Sequence, residues 1–122
     1  MTLKERAIHF LTLVASGDVH QAYVLYVSDQ LIHHNPAFPA GVAALKHAMA
    51  QNLVSHPHKT VEVQRALQDG DLVAVHSKIK MHDLHSEVAV MHLFRFADQR
   101  IVELWDIGQA VPETSPNLHG MF

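Results

Sequence analysis

The stretch Ser86–Gln109, SEVAVMHLFRFADQRIVELWDIGQ, reads as two long strands joined by the turn ADQR. Side chains along a strand alternate between its faces. Val88, Val90, His92, Phe94 and Phe96 therefore share one face of the first strand, against Ala89, Met91, Leu93 and Arg95. In the second strand Val102, Leu104 and Asp106 oppose Ile101, Glu103, Trp105 and Ile107. Asp106 is the anomaly. A carboxylate between Trp and Ile costs several kcal/mol to bury without a partner, so a partner is expected.

Two further strands precede this hairpin. TVEVQRAL and LVAVHSKIK flank the turn QDGD, with Leu72, Ala74, His76 and Lys78 opposing Val73, Val75, Ser77 and Ile79. The first third of the chain has the helical period instead. Leu3, Ala7, Phe10, Leu11 and Val14 form one stripe behind a Thr2/Glu5 capping box, and Gly17 ends it. Asp18 is the expected cap of a second helix, to about Tyr26, that buries Ala22, Leu25 and Tyr26. SDQLIHHNPAFPAG reads as an irregular loop, and a third helix from about Val42 to Ser55 carries Leu45, Ala48, Met49 and Leu53. The tail AVPETSPNLHGMF reads as irregular, with Met121 and Phe122 expected to fold back over a pocket mouth or onto a partner.

Helices first and a meander of strands after is an α+β plan: three N-terminal helices against a conical, curved antiparallel sheet, enclosing a pocket. At 122 residues, with no linker or repeat, the chain reads as a single domain over 1–122. Its formal charge of −3 and scattered Lys and Arg give no basic footprint for nucleic acid. No apolar run approaches the roughly 20 residues of a bilayer span. The charges in MTLKERAIHF argue against a signal peptide, and the absence of cysteine fits a reducing, cytoplasmic setting. The chain holds 12 histidines. Protonating half of them adds roughly +6, so solubility and association are expected to respond to mild acid.

Each long strand after the first carries one polar group in an apolar row: His76, His92 and Asp106. Brought together on a concave face, an imidazole N–H would satisfy the Asp106 carboxylate. Alternation alone leaves open which face lines the pocket. Were the helices to cover the face of Trp105, the chemistry would move to Glu103.

HHNPAFPAG, DGDLVAVHS, RFADQRIVELWDIGQAVP and the ending NLHGMF, in this order, resemble the SnoaL-like, polyketide cyclase-like branch of the nuclear-transport-factor-2-like superfamily. The resemblance covers essentially the whole chain. It implies a conical α+β barrel whose cone holds a small molecule, often a homodimer through the sheet, and it tips the choice toward Asp106. The family's histidine–asparagine–proline motif falls on His34, Asn35 and Pro36, its post-strand histidine on His76, its tryptophan–aspartate pair on Trp105 and Asp106, and its closing glutamine on Gln109. The chain departs from the family at His92, where an acidic residue is common, and at Leu104, where many relatives have histidine. In SnoaL-type cyclases a carboxylate in the His92 strand region is the base for an intramolecular aldol closure.

The resulting expectation is a pocket for a small hydrophobic carbonyl compound, worked by acid–base chemistry without a cofactor: a cyclase, isomerase or lyase. His92 or Asp106 would be the base, with His34, His76 and Asn35 as donors to a carbonyl or enolate oxygen. Phe38, Phe94, Leu104 and Trp105 would supply apolar contacts to the ligand. The alternative is a non-catalytic binding module with the same pocket. A metal site would draw on His33, His34, His76, His92 and Asp106, but adjacent histidines on a strand diverge and no paired-ligand spacing exists, so no metal is expected.

Overall fold

In the computed structural model, described for residues 1–122 apart from the side chain of Asp83, three helices pack on one face of a five-stranded sheet. Helix α1 spans Leu3–Ala15 and starts as the capping box requires, with Thr2 Oγ1 accepting the Glu5 N–H at 3.1 Å. Its stripe of Ala7, Phe10, Leu11 and Val14 is buried. Helix α2, Val19–Tyr26, follows at once, because Gly17 takes a left-handed φ of +99° that an L side chain rarely adopts. Asp18 occupies the N-cap position but its side chain makes no capping bond, contrary to expectation. Tyr23 is buried in place of the expected Leu25, which is exposed.

The sequence expectation of four strands falls one short. Strand β1, Val27–His33, grows directly out of α2 and pairs in parallel with the last strand. Its pairing slips between Val27 and Ile32, so only Val27 and Leu31 are buried and no period of two is visible in VSDQLIH. After α3, Val42–Ser55, come β2 (Lys59–Asp69), β3 (Leu72–Met81), β4 (Ser86–Ala97) and β5 (Arg100–Ala110). The sheet order is β1-β5-β4-β3-β2, antiparallel except at β1. A two-residue turn closes β4–β5, with positive φ at both Asp98 and Gln99 as a type I′ hairpin needs. Gln99 Oε1 accepts from Arg6 Nη2 at 2.7 Å, tying that turn to α1.

Two bulges shape the inner face. Val63 opposes Ser77 while Arg65 opposes His76, leaving Gln64 extra; Arg95 opposes Glu103 while Phe96 opposes Ile101, leaving Val102 extra. Bulges bend a strand and deepen its twist. The second also corrects the simple alternation of β5: Ile101 and Leu104 are both buried on the helix side, with Asp106 next in that row. The core centres on Phe94, whose ring meets Phe10 edge-on at a centroid distance of 5.9 Å. No helix among the described residues is long and apolar enough to cross a membrane.

The core makes one expectation quantitative. Phe94 is completely buried, so Phe94→Ala should lower the unfolding free energy by about 3–5 kcal/mol in urea denaturation. Val54, 76% exposed on α3, should tolerate Ala within about 0.5 kcal/mol.

Candidate functional site

Helix α3 buries only Leu45 fully; Ala48, Met49, Asn52 and Leu53 are half-buried because the helix does not close down on the sheet. The space left beneath it is a cavity of about 210 Å³ between α1, α3 and the sheet. Its walls are mainly aliphatic and aromatic, and five polar side chains enter them: Asn35, Asn52, Lys59, His92 and Asp106. Ligand pockets for drug-sized molecules occupy about 300–1,000 Å³, so this one suits a smaller guest. A groove of about 650 Å³ between α2 and α3 is larger but lies open on the surface and contains no carboxylate.

His92 and Asp106 stand directly opposite each other in the β4–β5 register. The partner of Asp106 is nevertheless Asn35, whose Nδ2 donates to Asp106 Oδ2 at 3.0 Å. Three contacts fix that amide. Asn35 Oδ1 accepts the Ala37 N–H at 2.9 Å, the Asn35 N–H donates to His33 Nδ1 at 3.2 Å, and His33 Nε2 donates to the Pro39 carbonyl at 2.7 Å. His33 thus braces the loop that carries Asn35 and Phe38 to the cavity, with Nε2 as its protonated nitrogen. This is the physical answer to the buried acid: an amide N–H, held by a braced loop, compensates the carboxylate.

Burial pushes the His92 imidazole down to about 4; the Asp106 charge opposes this and the Lys59 charge reinforces it. His92 is therefore neutral at physiological pH, and its buried Nδ1 has no hydrogen-bond partner among the described residues. Tyr23, packed against the cavity residues Phe10 and Met49, is held as a phenol by burial and by the Asp106 charge, and its hydroxyl donates to Met49 Sδ at 3.4 Å. Lys59 is also lowered by burial, with its Nζ donating to Asn52 Oδ1.

Of the residues expected at the site, Asn35, Phe38, His92 and Asp106 meet at this cavity. Phe94 and Leu104 share its face of the sheet but are sealed in the core. His34, His76 and Trp105 must be moved to the convex face. His34 stacks on Trp105 at 4.8 Å, nearly parallel, and its Nε2 donates to Glu103 Oε2 at 2.7 Å. Arg95 Nε donates to the other oxygen of Glu103 at 2.9 Å, and these two bonds hold the Glu103 carboxyl below its usual range. His76 meets Arg65 and lies under the Phe122 ring, 5.9 Å away. The tail does fold back, but onto the convex face and away from the cavity mouth.

The reason is geometric. Val73, Val75 and Ser77 are fully buried on the inner face of β3, which turns His76 outward; β1 pairs beside β5 so that His34 falls on the Trp105 side. The imidazoles weighed for a metal are thereby divided between the two faces, and no group of three or more His, Cys, Asp or Glu among the described residues is placed to hold one. Asn52 and Lys59 escaped the sequence reading. They lie on either side of SHPH, and only the reversal from α3 into β2 brings them together.

The SnoaL-like domain family matches residues 7–104. No curated protein matches the chain. Among solved structures, a loop-truncation variant of IdmH, a protein of Streptomyces antibioticus, is 21% identical with a TM-score of 0.75, covering 88% of this chain and 93% of its own. An uncharacterised cystatin-fold protein of Novosphingobium aromaticivorans is 19% identical, with a TM-score of 0.74 and coverage of 88% and 98%. A SnoaL-like polyketide cyclase of Agrobacterium tumefaciens is 12% identical, with a TM-score of 0.75 and coverage of 89% and 92%. At such identities the likeness shows a shared fold.

The buried imidazole predicts an acid-sensitive fold. Above pH 6.5 His92 is neutral in both folded and unfolded chains; between 6.5 and about 4 the unfolded chain takes a proton that the folded chain refuses. Stability should therefore fall with falling pH across that window, by up to about 3 kcal/mol from this group. Denaturation of wild type and His92→Phe at stepped pH should show the wild type losing more, and parallel curves would contradict this assignment.

Proposed function

The chain belongs to the SnoaL-like family, and from that premise we propose that its cavity carries out cofactor-independent acid–base chemistry on a compact, largely apolar carbonyl compound. One observation carries the reading: a half-buried carboxylate, oriented by an amide, faces a neutral imidazole across two strands at the wall of one apolar cavity. Asp106 is the base. Its Oδ2 is held by Asn35, which leaves the carboxylate a second oxygen to take a proton from the carbon next to the substrate carbonyl. His92, neutral and with an unpaired ring nitrogen, is the donor to the developing enolate oxygen. An orphaned polar group in such a place costs about 1–3 kcal/mol, which a ligand oxygen would relieve. The mainly apolar walls lower the local dielectric, so charge formed on the enolate is felt more strongly by both groups than it would be in water. A proton returned to another carbon gives isomerisation; attack of the enolate on a second carbonyl of the same molecule gives cyclisation.

A homodimer belongs to the same proposal. Met91 and Ile107 leave apolar surface on the convex face, beside the Phe122 tail, for a second copy of the chain. Sedimentation equilibrium should give twice the 13.6 kDa chain mass, and a monomer at all concentrations would refute the pairing.

For the chemistry, cyclohexanone in deuterated water is a suitable probe, with exchange of its α-protons followed by NMR. Asp106→Asn should slow the enzyme-dependent exchange by about 10²–10⁴. Equal rates in wild type and variant would overturn the assignment of the base. Saturable binding of the ketone with no exchange above buffer would favour the binding module instead.

A further inference from the structure

Lys59 is unusual among the basic residues of this chain. It opens β2, opposite Met81, with its side chain among the walls of the cavity that also hold Asp106 and His92. Lys80 is paired with Glu62 and Arg95 with Glu103, whereas Lys59 has no carboxylate within salt-bridge distance among the described residues. Its Nζ instead donates to an amide oxygen, Asn52 Oδ1. An amide oxygen neutralises no charge, so it does little to hold the lysine as an ammonium ion. It accepts one N–H and, once the ammonium ion has given up a proton, leaves the nitrogen lone pair available. Burial acts in the same direction, lowering Lys59 from the ordinary lysine range. The other four lysines, Lys4, Lys46, Lys78 and Lys80, are not among the residues that line this cavity.

We propose that Lys59 is a covalent, imine-forming residue, and that the cavity takes small aldehydes or ketones which it binds through their carbonyl carbon. The proposal rests on the acid–base reading of the same cavity and extends it. Once deprotonated, the amine attacks the carbonyl carbon; the C–N bond forms while the C=O π pair moves to oxygen, and one proton passes from the new ammonium nitrogen to that oxygen to give a neutral carbinolamine. The nitrogen lone pair then expels that oxygen as water, after a second protonation, leaving a protonated C=N bond. This iminium is a stronger electron sink than the parent carbonyl. Asp106 removes the neighbouring C–H proton, and the released pair forms the C=C bond of an enamine as the C=N π pair returns to nitrogen. Reprotonation at carbon and addition of water regenerate the amine and release the carbonyl product. No redox partner or added co-reactant enters, since the only other species is water.

The chemistry also bounds the substrate. A guest of about 210 Å³ that is attacked at its carbonyl carbon must place that carbon near the cavity wall at Lys59 and its apolar remainder against α1 and α3. Carboxylic acids and amides are excluded as imine partners by their low electrophilicity, which leaves aldehydes, ketones and diketones.

Reductive trapping tests this directly. The full chain is incubated with cyclohexanone and sodium cyanoborohydride, and the product is read by intact mass and by peptide mapping. The expected result is a single secondary-amine adduct on the peptide carrying Lys59, lost in Lys59→Met and retained in Lys46→Met, whose lysine sits on the α2–α3 surface beside His20. Mapping of the wild type localises the adduct even if Lys59→Met folds poorly. An unmodified chain, or adducts spread evenly over the five lysines, overturns the proposal. The two readings separate cleanly. Asp106→Asn should still be trapped while its α-proton exchange is lost. Exchange in the wild type without any adduct would overturn the imine and leave the acid–base reading standing, whereas a Lys59 adduct without exchange would support the imine and remove Asp106 as base.

Discussion

The bond from the Asn35 amide to the Asp106 carboxylate is the constraint around which this molecule is arranged. A carboxyl group in an apolar wall is costly unless a donor reaches it, and the donor comes from a loop about seventy residues earlier in the chain. For that loop to be in place, β1 must pair with β5, since His34 N–H donates to the Leu104 carbonyl and so locks the loop entrance to the strand carrying Asp106. His33 then braces the turn from within. The parallel β1–β5 pairing, besides adding Val27 and Leu31 to the core, is in this sense a device for delivering one amide.

The sheet separates two kinds of polar chemistry. On its concave side the polar groups are few and set among apolar walls, and burial takes basicity from His92 and acidity from Tyr23. On its convex side Arg95, Glu103 and His34 form a connected network at the edge of solvent, with Trp105 covering the imidazole. Neighbouring residues of β5 thus belong to different environments. Glu103 is stabilised as a charge by partners, whereas Asp106 relies on a neutral donor.

Much of this was legible in advance, and the failures have physical causes. The three helices, the four long strands and the hairpin at Asp98–Gln99 followed from periodicity, because each buries a regular face. Strand β1 did not, because a slipped register and the run Ser28-Asp29-Gln30 erase its alternation. His92 and Asp106 could be paired from alternation within one hairpin, where the register is local. His76 was grouped with them wrongly, because its face follows from the β3–β4 register, in which Val75 and not His76 stands opposite His92; His34 was misplaced because β1 shows no alternation to sort it. Lys59 and Asn52 left no periodic mark at all: a polar residue at a strand's first position and another near a helix end look like ordinary surface until the chain reverses between them.

The contact between Phe10 and Phe94 has a consequence for how the protein is born. A ribosome adds about 5–20 residues per second, so α1 emerges roughly 4 to 17 seconds before the ring it must pack against has been made. For that interval the stripe of Ala7, Phe10, Leu11 and Val14 has only α2, whose Tyr23 meets Phe10, to cover it. The helices pack on one another first and complete their burial only once the sheet is made. The nascent chain is therefore expected to expose apolar side chains for seconds, the kind of segment that chaperones hold.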